Sequence, residues 1–250
     1  MVSSAVQSDL APTGTIRAGI NYGNPVLARR DPARNEIYGV AVDLARELGK
    51  HADMPVALIG FDAAGKLFDA VRTGAWDVAF LAIDPARSAE VEFTAPYVEI
   101  EGTYLSGPNS PLRDVQDVDR KGVRIGVSAD SAYDLFLRRS IKNAELVHAP
   151  GPEASFELIL KGTVDIVAGV RQALLANQKR LPGSRVFAGR FMAIGQAAAV
   201  PKRREVGASF LSQFIEDMKA SGFVAAALTR AGIQGVTVAP PANPQRRSAH

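Results

Sequence analysis

An α/β fold of two lobes, each an open, mainly parallel sheet flanked by helices and the two joined by a pair of crossing strands, is predicted by three observations. Residues 16–83 alternate short apolar runs with helical stripes in a β-α-β-α-β series, the pattern of a parallel sheet with helical crossovers. About ninety residues later the grammar repeats: LILKGTVDIVAG (residues 158–169) follows AVRTGAWDVAF (residues 70–80) in having a helix end, a glycine, two residues, an aspartate and then a strand. An extended run rich in β-formers at residues 97–106 is placed to cross from one lobe to the other, and a return crossing is expected around residues 187–194, ahead of a strand at 196–200 and a helix. The expected division is lobe 1 from residues 14–105 and 192–236, and lobe 2 from residues 106–191.

Taken in order, residues 1–13 are small and polar and read as a disordered leader. Residues 16–20 read as a first strand, followed by the turn-rich loop Asn21, Tyr22, Gly23, Asn24, Pro25. A weakly ordered segment through Asp31 and Pro32 leads to Gly39. Val40, Leu44 and Leu48 then recur every fourth residue with Ala41 and Ala45 beside them, the stripe of an amphipathic helix ended by Gly49. Residues 56–59 form a second strand. The loop Phe61, Asp62, Ala63, Ala64 precedes a helix with Leu67, Phe68 and Val71 inward and Gly74 as its stop.

Trp76 and residues 78–83 make an apolar run of strand length, as a strand covered on both faces requires, stopped by Asp84 and Pro85. Arg87 stands close behind the carboxyl end of that strand, where open α/β sheets place ligands, and an arginine there is a natural fork for a carboxylate. The second lobe repeats the layout with a strand at residues 123–127, a helix at 131–140, a strand at 146–148 and a helix near 156–160. The shared core of the echo is Gly74 with Asp77 and Gly162 with Asp165. A final strand at residues 196–200 leads to a helix whose inner face is Val206, Phe210, Phe214 and Met218, widened by Leu211 and Ile215. Residues 237–250, rich in proline and arginine without apolar period, read as a disordered tail.

Composition removes several function classes. The 29 Lys and Arg are interspersed with 26 Asp and Glu for a net charge of +3, which is no nucleic-acid footprint. No segment approaches the roughly 18 apolar residues of a membrane span. With no cysteine there is no disulfide, thiolate metal site or cysteine nucleophile. His51, His148 and His250 lie apart, in a helix end, a strand and the tail, without triad or metal partners nearby. Neither a phosphate loop nor a dinucleotide fingerprint occurs. The expectation is a monomer without cofactor or metal. The first twenty residues carry no basic start with an apolar core, so either a secretory signal was removed or the protein is cytosolic.

FTAPY at residues 93–97 behind Arg87, the helix GVAVDLARELG at 39–49 and the segment GVRIGVSADSAYD at 122–134 together resemble the bacterial extracellular solute-binding proteins of family 3, which serve polar amino acid transporters. The likeness spans about residues 14–232. It implies a type II periplasmic-binding-protein fold, a periplasmic location, an ABC permease as partner and hinge closure on a small solute. It also implies that Arg87 holds a ligand carboxylate. Ser131, at a helix start, takes the other carboxylate oxygen with free backbone N–H groups. Leu81 and Ala82 occupy strand-end positions where amino acid binders often carry hydroxyls.

Two positions depart from that pattern. After the second-lobe strand, where α-amino acid binders place an acid, stand Val170 and Arg171; near the first strand stands Asn21. An unpaired ammonium in a closed cleft is costly. The expected ligand is therefore a small carboxylic acid, held by Arg87 and Arg171, with Asn21 and Asp62 nearby and walls from Tyr22, Phe61 and Tyr133. Glu99 and Glu101 share one face of the crossing strand and offer an alternative source of negative charge. Two other readings are a cleft enzyme of the cyclohexadienyl dehydratase type, with Asp62, Glu99 or Glu101 as acid, and a cytosolic ligand sensor resembling the effector domains of LysR-type regulators.

Overall fold

The computed structural model describes residues 2–242. Lobe 1 begins with helix α1 (Ser4–Leu10), strand β1 (Ile16–Asn21), a hairpin of β2 (Arg29–Asp31) and β3 (Glu36–Tyr38), and helix α2 (Val40–Ala52). It continues with β4 (Val56–Phe61), α3 (Ala64–Asp69), β5 (Val78–Ala82) and β6 (Val91–Phe93). The first crossing strand is β7 (Val98–Ser106). Lobe 2 holds β8 (Arg124–Ser128), α4 (Ala132–Ser140), β9 (Glu145–Ala149), α5 (Pro152–Leu160), β10 (Ile166–Val170), α6 (Arg171–Gln178) and β11 (Arg185–Val186). The chain returns through β12 (Met192–Pro201) to α7 (Glu205–Ala220), α8 (Phe223–Arg230) and β13 (Thr237–Val238).

The two lobes share one sheet. Its order is β4-β1-β5-β12-β7-β10-β8-β9, with β6 added on β12 and both β11 and β13 on β7. β1 is parallel to β4 and β5, and β8 is parallel to β9 and β10. The crossing strands are antiparallel to each other and to the strands they join. The two parallel sets are therefore welded by a central ribbon into a single mixed sheet, in place of two separate sheets. Each set turns the carboxyl ends of its strands toward the other.

Several expected elements come out differently. The leader is no loose segment: Ser3 caps α1 through its hydroxyl, and Val6 and Leu10 are buried in the lobe 1 core, where α1 packs against α7. Within the tail, Thr237 and Val238 pair with β7 and Ala239 is buried; residues 243–250 lie outside the described residues. The segment around Asp31 and Pro32 is the β2-β3 hairpin.

Gly49 does not end α2. The helix runs on to Ala52 and closes through Asp53 in the left-handed conformation, while a Cβ on Gly49 would meet a Val56 methyl at 2.4 Å. Here the glycine serves close helix–strand approach. On α7, Leu211, Phe214, Ile215 and Met218 are buried, but Val206 is exposed, and in the first turn Gly207 and Ala208 face inward in its place. α8 carries no strong apolar stripe in FVAAALTR and was not predicted; three residues, Val224, Ala227 and Leu228, bury it against α2 and α7.

Candidate functional site

The facing strand ends enclose a cavity of about 60 Å³. Lobe 1 contributes Asn21 at the end of β1, Gly23 and Asn24 from the following loop, Ala82 at the end of β5 and Ala64 at the start of α3. Lobe 2 contributes Ser128 at the end of β8, the first turn of α4, Pro152 at the start of α5, and Val170 with Ala173 and Leu174 at the start of α6. Ile194 and Gln196 reach it from one face of the crossing strand β12. The site is thus built where carboxyl ends of parallel strands meet, with helix N-termini pointing at it.

No acidic or basic side chain is on the wall among the described residues. The polar lining is neutral and most of it is engaged locally. Asn21 Oδ1 accepts from Gly23 N–H at 3.0 Å and Asn24 Oδ1 from Val26 N–H at 3.1 Å. Ser131 is the N-cap of α4, its Oγ accepting from Asp134 N–H at 3.1 Å. Ala132 and Tyr133, the first residues of that helix, present N–H groups with no acceptor inside the helix. Burial pushes the Tyr133 hydroxyl up to about 12, opposed by the neighbouring Ser131 and Ser128 hydroxyls.

Arg87 lies directly behind this wall. Only 1% of its surface is exposed; one terminal nitrogen donates to Ala82 O at 2.8 Å and the other to Asp130 O at 2.8 Å. It thereby touches both lobes. Nε has no partner, and the guanidinium lies 5.7 Å from the centre of the Phe68 ring. Burial lowers its pKa to about 10, against the favourable fields of Asp84, Asp130 and Asp69, so it stays charged at neutral pH. Asp84 is itself committed across the seam to Arg139 at 2.8 Å. The expected open fork toward the cleft is therefore corrected: this is a buried cation held by two carbonyls at the cavity's back.

Arg171 is corrected more fully. Its Nε pairs with Glu101 at 2.6 Å, and its terminal nitrogens donate to Phe187 O, Ala188 O and Gly189 O. Four of its five N–H donors are used in anchoring the return crossing, and the side chain is not on the cavity wall. Glu101 is shared by Arg171 and Arg190, and Glu99 faces a separate surface groove beside Glu92 and Glu205, so neither lines the cavity.

Of the other expected site residues, Asn21, Ala82, Ser131 and Tyr133 are on the wall; Tyr22, Phe61, Asp62 and Leu81 are not. Tyr22 packs over Gly60 with Arg30 near its ring, Phe61 leans on the Leu67–Trp76 cluster, and Asp62 pairs with Lys66 in solvent. Leu81 alternates with Ala82 and so enters the core on the opposite face. Ser128 and Gln196 went unpredicted. Their signal was a polar residue closing or interrupting an otherwise apolar strand, RIGVS and GQAAAV.

A family model described as bacterial extracellular solute-binding proteins, family 3, matches residues 16–231. The chain belongs to the family 3 solute-binding proteins. A curated relative, ABC transporter arginine-binding protein 1 of Escherichia coli, is 28% identical over 162 residues, 60% of this chain and 62% of that protein. Among solved structures, a solute receptor for L-cysteine of Neisseria gonorrhoeae superposes with a TM-score of 0.80 at 23% identity, covering 93% of this chain and 96% of that one. A mutant of ArgBP from T. maritima gives 0.78 at 18% identity, over 91% and 99%. These agree with the two-lobed type II fold. Membership in an extracellular solute-binding family favours the periplasmic assignment over the cytosolic one, and a binding cleft over a catalytic one.

Proposed function

We propose that this family 3 protein is the solute receptor of an ABC-type importer, closing on a small carboxylate-bearing ligand and presenting the closed form to a membrane permease. Arg87 carries the reading. A protonated guanidinium buried without a contacting carboxylate, with Nε unpartnered, is an unfavourable arrangement unless an anion joins it. The neighbouring helix starts add to the demand for negative charge: Ala132 and Tyr133 offer free N–H groups beside Ser131, and α5 and α6 direct their positive ends to the same space.

A ligand carboxylate would take over the bond that Asp130 O now receives and use Nε as well, so that ligand and closed seam stabilise each other. Two charged hydrogen bonds at roughly 1.5–3 kcal/mol each suffice to shift a hinge equilibrium of a few kcal/mol. A guanidinium or ammonium on the ligand side chain would meet no carboxylate on the wall, which argues against the arginine named for the curated relative.

The test is a calorimetric screen of short carboxylic acids against arginine, lysine and histidine, on the native chain and on Arg87→Met. Short acids should bind, and Arg87→Met should lose about 2–4 kcal/mol, or roughly 30- to 1000-fold in affinity. Tight binding of basic amino acids with no response to simple acids overturns the reading.

A further inference from the structure

We infer that Gln196 and Ser128 form a specificity subsite for an uncharged hydrogen-bonding group of the solute, a hydroxyl above all, and that this subsite rejects ammonium groups. The inference rests on the carboxylate-receptor reading and adds the chemistry of the ligand's other end. Gln196 sits at the hinge, where β12 is paired with Ala82 of β5 on one side and Val98 of β7 on the other. Its side chain is 3% exposed, lines the cavity, and Oε1 has no protein partner. Ser128, 1% exposed, likewise lines the cavity with Oγ unpartnered.

The contrast with the rest of the wall gives these two atoms their meaning. Asn21, Asn24 and Ser131 already accept from backbone N–H groups, and Asn177 Oδ1 accepts from Arg180. Ser128 and Gln196 are the buried wall side chains whose oxygens take no such backbone or arginine bond, with the Tyr133 hydroxyl beside Ser128, and both are neutral. A hydroxyl, which donates one proton and accepts another, is satisfied by Gln196 Oε1 as acceptor and the Ser128 hydroxyl as donor. They do not satisfy an ammonium, which brings three donors and a full charge into a wall without a carboxylate.

Size narrows the class further. A cavity near 60 Å³ is well below the roughly 150 Å³ that accommodates benzene, so at this degree of closure the solute has only a few heavy atoms. Short hydroxy acids fit all three constraints: an anionic end for Arg87, a neutral donor–acceptor end for Gln196 and Ser128, and little bulk.

The experiment is calorimetry with two matched sets differing in one group: acetate, glycolate and glycine, then propionate, 3-hydroxypropionate and β-alanine. In the native chain the hydroxy acid of at least one set should bind about tenfold or more tighter than its unsubstituted partner, with the ammonium analogue weakest. Gln196→Leu should erase that preference, so that the hydroxy acid and its unsubstituted partner bind alike. Ser128→Ala, the smaller change, should reduce it several-fold. Gln196→Glu, which puts a carboxylate in the same place, should weaken every acid and reverse the order in favour of the ammonium analogue. Unsubstituted and hydroxy acids binding equally, glycine or β-alanine binding tightest in the native chain, or a preference that survives both removals each overturn the subsite while the receptor reading stands. No response to any acid, in a chain whose thermal melt is cooperative, overturns the receptor reading and this one with it.

Discussion

Lobe 1 and lobe 2 each contain the same small device at the start of the parallel sheet. In lobe 1, Arg17 on β1 gives its backbone N–H at 3.1 Å and Nε at 2.8 Å to one oxygen of Asp77, a terminal nitrogen to the other oxygen at 2.9 Å, and its last nitrogen to Gly74 O. In lobe 2, Arg124 on β8 holds Asp165 with its N–H at 2.8 Å and Nε at 3.2 Å, and one terminal nitrogen donates both to the other Asp165 oxygen and to Gly162 O. Both glycines are left-handed, at φ +62° and +68°. The difference is what surrounds the carboxylate. Asp77 is fully buried and takes a second partner, Arg204, which also holds Asp9 O, whereas the Asp165 side chain is 39% exposed and has Arg124 alone. One turn motif has become an anchor for α1 and α7 in lobe 1 and stayed a surface clasp in lobe 2.

Removing the two carboxylates tests this contrast most directly. Asp77→Ala leaves Arg17, its N–H and Arg204 without their shared anion, and should cost about 3–5 kcal/mol. In a chain of this size that is on the order of 10 °C in Tm, and the amides of α1 should exchange faster as well. Asp165→Ala removes a solvent-screened pair and should cost about 1 kcal/mol. Equal losses in a thermal melt would break the distinction between anchor and clasp.

The glycines should show where the two copies remain alike. A Cβ at Gly74 or Gly162 would find nothing within 4 Å, so the cost of alanine is the left-handed backbone alone, about 1–2 kcal/mol at either site. Urea denaturation of Gly74→Ala and Gly162→Ala should give losses within about 0.5 kcal/mol of each other. A much larger loss in lobe 1 would mean that the turn, and not the buried carboxylate, carries the anchoring.

This device also marks how far the residues could be read unaided. Gly74 with Asp77 and Gly162 with Asp165 were legible as an echo because a left-handed helix stop and a strand entry are set within four residues. Their arginine partners were not, since Arg17 and Arg124 sit on neighbouring strands far away in the chain. The same limit divides the site. Asn21 and Ser131 were legible because a strand end and a helix cap place a side chain by local rules. Arg171 shares the same kind of position, yet its direction is decided by Glu101 and three carbonyls of the return crossing. Gln196 escaped because alternation along a ten-residue strand fixes which residues share a face, not which face meets the cavity. α1 escaped because its burial depends on α7, two hundred residues on.

Acid should expose the smallest of the differences. Burial alone would raise the pKa of Asp77, but the bonds from Arg17, its backbone N–H and Arg204 outweigh it and hold the carboxyl below its usual range. Arg124's hydrogen bonds hold Asp165 low, against a modest burial effect. A depressed native pKa means that each carboxylate contributes stability fully present above its unfolded value near ~3.9 and lost as pH falls through the native one. Replacement by asparagine removes that dependence. The urea midpoint of Asp77→Asn should therefore change less between pH 7 and pH 3 than that of the native chain, and Asp165→Asn should flatten the same interval by a smaller margin, since water competes for its partner. Flattening as large from Asp165→Asn as from Asp77→Asn would show that exposure does not set the strength of the device.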